Sequence, residues 1–176
     1  VYSIRVVAQM PYAANVTWPF GRFNALWADD LTDVALFYND DTDTFGLYIE
    51  GSARISSSAQ TFAAGDRKDI VVTFDYANDL YYLYVDGVLD GSYTSARTSP
   101  ALTNFYLGCS STNCAAGIVF SEFAVFGTVL TADQVAAMYA LQRPLVDAGA
   151  VDKPGIYLYD GRFRLASRAT GARTEI

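Results

Sequence analysis

The stretch Lys68–Tyr93, KDIVVTFDYANDLYYLYVDGVLDGSY, leaves this chain few folds to choose from. Ile70, Val72, Phe74 and Tyr76 alternate with Val71, Thr73 and Asp75, the period of two that marks a half-buried strand. After the polar break Ala77-Asn78-Asp79, residues Leu80 to Val85 are apolar or aromatic on both faces, so this strand is predicted to lie inside a sheet and not at its edge. Asp86-Gly87 supplies two residues that tolerate positive φ, and Val88-Leu89 starts the return strand of a tight hairpin. Three antiparallel strands in 26 residues predict an all-β protein.

The rest of the chain agrees. Aromatic residues make up 15% of the 176 and hydrophobic ones 52%, enough for one substantial domain with a sizeable core. Strand patterns recur at Val1–Gln9, Phe20–Ala28, Val34–Tyr38, Phe45–Glu50 and Ala53–Ser57, divided by Pro-, Asp- and Gly-containing breaks. Thr131 and Gln134 form a capping box, and Val135, Met138 and Tyr139 then follow at helical spacing, predicting one short helix near 131–141 that ends before Pro144. No apolar run reaches the roughly 20 residues of a membrane span, and a net charge of −7 disfavours a nucleic-acid partner. The chain opens directly in a strand pattern, which leads us to expect a piece of something larger.

The run Val71-Val72-Thr73-Phe74-Asp75, then Leu83-Tyr84-Val85-Asp86-Gly87-Val88-Leu89, resembles the laminin-G-like family. Gly117–Phe126 (GIVFSEFAVF) with Leu130–Val135 resembles that family's closing signature, and Glu122 falls on its glutamate. Phe105–Gly108 resembles its L-x-L-G strand end. Arg67, Lys68 and Asp69 depart from it, standing where a Trp and a His are usual. The resemblance is close over about 67–140 and rests on strand pattern alone before that. It implies a concanavalin-type (jelly-roll) antiparallel β-sandwich over 1–142, with the helix near its C-terminal end. Residues 143–155 read as a linker, and 156–176 as a hairpin-like extension with Asp160-Gly161 at its turn.

Catalysis has little to work with. The chain has no His, which removes a Ser-His-Asp triad and a His-bearing metal centre. Glycoside hydrolases on this fold use neighbouring carboxylates about 5 Å apart on one strand; here Glu50, Glu122 and Glu175 are scattered and form no such motif. A non-enzyme is expected, with no required cofactor.

Asp40, Asp41 and Asp43, with Asp29, Asp30 and Asp33, form two acidic loops. Oxygen ligands at that density suit Ca²⁺, and many laminin-G-like domains hold one at a loop rim. The same residues are the ordinary choice for a hairpin loop, because Asp and Asn hydrogen-bond their own backbone. Cys109 and Cys114 bracket a polar loop and are predicted to close a small disulfide ring, with two free thiols as the alternative.

Two functions remain. In a binding and adhesion module for carbohydrate or protein, Trp18, Trp27, Tyr38, Tyr48 and Tyr82 would give flat contact area; each also suits the core. In a structural subunit of a virion, tail fibre or surface layer, residues 143–176 would contact a neighbour as a homo-oligomer or larger assembly. That tail carries six basic and four acidic side chains, against six and fifteen in residues 1–142. Either function places the protein extracellularly, at a cell surface or on a virion.

Overall fold

The computed structural model describes residues 1–19, 23–28, 34–49, 52–96, 106–108, 117–147, 155–159, 162–166 and 173–175. Two five-stranded antiparallel sheets make the sandwich. The first runs β10-β1-β6-β7-β8, from β1 (Tyr2–Gln9), β6 (Arg67–Asp75), β7 (Leu80–Val85), β8 (Val88–Thr94) and β10 (Val119–Phe126). The second runs β5-β4-β3-β2-β9, from β2 (Phe23–Ala28), β3 (Val34–Asn39), β4 (Thr44–Ile49), β5 (Ser52–Ser56) and β9 (Tyr106–Leu107).

The central stretch folds as its alternation requires. Strand β7 is flanked by β6 and β8, so it is interior. Val85 pairs with Val88 across a two-residue turn in which Asp86 (φ 51°) and Gly87 (φ 82°) both take positive φ, the requirement that Asp-Gly meets. Ile70, Val72 and Phe74 of β6 and Tyr81, Leu83 and Val85 of β7 face the other sheet, where Leu36, Tyr38, Phe45, Leu47 and Ile49 complete the core. Tyr82 and Tyr84 face outward.

That outward face is covered by α1 (Ala132–Asp147). Val71, Tyr84, Leu130 and Val135 form a second apolar cluster, with Tyr82, Phe126 and Met138 packed on it. The capping box forms reciprocally: Thr131 N donates to Gln134 Oε1 at 2.9 Å, and Gln134 N to Thr131 Oγ1 at 3.3 Å. Ser3 Oγ accepts from Leu130 N and donates to Thr128 O, tying the start of the helix to β1.

Here a sequence expectation is corrected. The helix does not stop before Pro144 but continues through it to Asp147. A proline lacks the N–H that would bond the carbonyl four residues earlier, but this close to a helix end the loss is a single bond. The first residues of the expected linker are therefore helical. Beyond it, β11 (Gly155–Tyr159), β12 (Arg162–Ala166) and β13 (Arg173–Glu175) form a separate three-stranded sheet, one strand more than a hairpin. Among the described residues no helix is long and apolar enough to cross a membrane.

Candidate functional site

Three of the five aromatic residues that the sequence offers for binding are core. Trp18, Trp27 and Tyr38 are 1%, 0% and 0% exposed, so none has a ring face to offer. The physical reason is their register: Tyr38 continues the inward series Val34-Leu36, and Trp27 pairs with the inward Leu36. Trp18 packs on Tyr38 with ring centroids 4.8 Å apart. Tyr82 is half-buried where the helix docks, 6.3 Å from Tyr84.

Tyr48 is different. It lies on the outward face of the second sheet, the one on which no described helix packs. Its cross-strand partners are Ala35 and Ala53. One pair further along, Phe37 sits between Ala25 and Gly46, with Ser56 beyond. The two rings meet edge to face at 4.6 Å. A Cβ at position 46 would lie 2.3 Å from Phe37 Cζ, so only glycine lets that ring lie across β4. Phe37 is 5% exposed and acts as the prop. Tyr48 is half-buried, and Ala53 and Ser56 beside it are exposed. Ala35, Phe37 and Gly46 are buried although they face outward, so the patch that reaches the surface is the half-buried Tyr48 with Ala53 and Ser56. Sequence reasoning missed Phe37 and Gly46, although the signal was present: with 34, 36 and 38 facing inward, 35 and 37 must face outward.

The acidic loop 40–43 is not the exposed tip that its composition suggests. Asp40 is 7% exposed and accepts a hydrogen bond from Trp18 N at 2.6 Å. Asp43, at φ 55°, accepts from Asn15 N and from Tyr38 Oη, each at 2.7 Å. Burial, then the bond to Asp43, pushes the Tyr38 hydroxyl well above its ordinary range. These carboxylates knit the segment 15–18 to the β3–β4 hairpin. Asp41 is exposed, its N–H bonded to Asn39 Oδ1. Among the described residues no three His, Cys, Asp or Glu side chains gather as a metal would need. Asp29, Asp30, Asp33, Cys109 and Cys114 lie outside the described residues.

The positions that depart from the laminin-G pattern hold ion pairs instead. Asp69 Oδ1 and Oδ2 accept from Arg5 Nε (3.0 Å) and Nη2 (2.5 Å), with both residues buried. Arg5 Nη1 donates to Glu122 Oε1 at 3.1 Å, so the family's glutamate here holds a guanidinium. Burial lowers the Arg5 guanidinium, but its bonds to Asp69 and the field of Glu122 outweigh that and leave it raised. Lys68 Nζ donates to Asp86 Oδ2 at 2.8 Å, closing the start of β6 onto the hairpin turn.

Comparison with known proteins follows this geometry. A family model described as the Concanavalin A-like lectin/glucanases superfamily, of laminin-G type, matches residues 15–136. No curated protein matches the sequence. Among solved structures, the CBM40 of the Ruminococcus gnavus IT-sialidase bound to alpha2,3 sialyllactose superposes at a TM-score of 0.59 with 14% identity, over 78% of this chain and 82% of that one. Trypanosoma rangeli sialidase superposes at 0.58 with 14% identity, over 81% of this chain but only 23% of its own length. At such identity these likenesses speak for the fold. The match over more than half of its length establishes that this chain belongs to the concanavalin A-like lectin/glucanases superfamily.

Proposed function

We propose that the protein is a non-catalytic carbohydrate-binding module, carried outside the cell or on a virion surface. The observation that carries this reading is the Tyr48 ring, propped by Phe37 on the outward face of the second sheet and bordered by the exposed Ala53 and Ser56. A tyrosine on the outward face of a lectin-type sheet is the kind of side chain on which a sugar ring stacks. Membership of a superfamily named for lectins, and the likeness to a module solved with sialyllactose, support the same reading. The carboxylates described above are tied to protein donors and form no acid–base pair, which supports a binding role over a hydrolytic one.

A glycan screen followed by calorimetry tests it. Binding in the micromolar range is expected, weakened at least tenfold by Tyr48→Ala and largely kept by Tyr48→Phe. Failure of every saccharide to bind, or equal affinity in Tyr48→Ala, would refute it.

A further inference from the structure

We infer that Arg54, at the seam where β5 meets β8, is a carboxylate-binding residue, and that the saccharides this module takes are acidic ones. The inference deepens the carbohydrate reading and rests on it. Arg54 is the extra residue of a bulge: Tyr48 pairs with Ala53 and Leu47 with Ile55, leaving Arg54 unpaired between them. The bulge turns it away from its strand neighbours and over the edge of the sandwich. There its guanidinium carbon stands 5.9 Å from the centroid of the Tyr93 ring on β8. The seam is tight at this point, since a Cβ on Gly91 of β8 would lie 2.5 Å from Ile55.

The guanidinium is unneutralised. Among the described residues the Arg54 guanidinium has no salt-bridge partner, and its buried Nε has no acceptor. Arg5, which is fully buried, has two carboxylates. A half-buried guanidinium whose Nε–H has no acceptor carries a desolvation cost that its contact with the Tyr93 ring offsets only in part. Tyr81, wholly buried 6.0 Å from Tyr93, adds a second unsatisfied donor, its hydroxyl. Asp79 acts electrostatically on that hydroxyl but forms no ion pair with Arg54. A guanidinium held over a tyrosine ring, with its Nε–H lacking an acceptor, fits a planar carboxylate attached to a sugar, which the fork can take through paired N–H donors. Arg54 follows Ala53, the cross-strand partner of Tyr48.

The test is a ¹⁵N NMR titration of the arginine Nε–H signals, with N-acetylneuraminate, glucuronate, lactose and sodium acetate as probes. Both sugar acids should shift the Arg54 Nε–H signal saturably, lactose should not, and Arg54→Gln should abolish the effect. Arg54→Gln should keep or raise the melting temperature, because it removes an uncompensated charge and no fold-holding bond. Equal response to acetate and to the sugar acids would mean a general anion site and overturn the saccharide assignment, as would selective response to an acidic peptide. No response of Arg54 to any carboxylate overturns the inference outright. That outcome is separable from failure of the carbohydrate reading, since neutral sugars could still bind in a manner sensitive to Tyr48→Ala.

Discussion

The residue with the most at stake is Asp69. Its carboxylate holds the Nε–Nη2 edge of a buried guanidinium whose one other partner among the described residues is Glu122, with a side chain 28% exposed. Breaking a buried pair by removing one member leaves the other charge stranded, at a cost of about 3–5 kcal/mol. Asp69→Asn is therefore expected to lose about 3 kcal/mol, the low end, because Glu122 stays. Glu122→Gln should lose only about 1 kcal/mol, since water screens the exposed partner. Urea denaturation of the two variants separates them; equal losses would show that burial does not govern this cluster. The sequence located Asp69 as a departure from the family pattern and could go no further. Arg5 lies 64 positions away, and only the β1–β6 register, Arg5 opposite Val71 and Val7 opposite Asp69, brings the two together. Tyr48 was legible as an aromatic but its outward placement was not, because that depends on which face each strand presents.

At the scale of elements, the helix was the most legible feature after β6–β8. Its capping box and its stripe at i, i+3, i+4 are local signals, and local signals are what a sequence carries directly. Its C-terminal end was not legible, because proline costs a helix one bond whose weight depends on how much helix follows. The sheet order was not legible either. β1 pairs with β10 and β6, both far along the chain, and no local pattern names them. The helix is held chiefly by Val135, 1% exposed, against Val71 and Tyr84. Trimming that side chain to alanine removes two methyl groups from a closed contact and should cost about 2 kcal/mol. Met138→Ala, on a half-buried residue, should cost less. If Val135→Ala left thermal stability unchanged, the helix would be an attachment and not a part of the sandwich's second core.

Over the whole molecule, tyrosine is the distinctive material: 13 of them, several buried with their hydroxyls inside. Tyr38, Tyr76, Tyr81 and Tyr84 all have their ionisation pushed upward, first by burial. Tyr38 is raised further by its bond to Asp43, Tyr76 by its bond to Tyr2 at 3.3 Å, Tyr81 by the fields of Asp79 and Tyr93, and Tyr84 by Tyr82. Each stays neutral in the fold at a pH where an unfolded tyrosine, near 10, gives up its proton. The unfolded chain thus binds fewer protons than the native one above that pH. Stability from this source is complete below about pH 10 and falls as the pH rises beyond it. The protein should therefore unfold in alkali as a single cooperative event, with four phenols appearing as phenolates only when the strands are lost. A spectrophotometric titration at 295 nm, followed alongside far-ultraviolet circular dichroism, reads both at once. Nine or fewer tyrosines should ionise before the circular dichroism changes, and the rest should ionise with it. Thirteen ionising near pH 10 with the sheets intact would mean that these hydroxyls reach water, and that the closed ends of this sandwich open in solution.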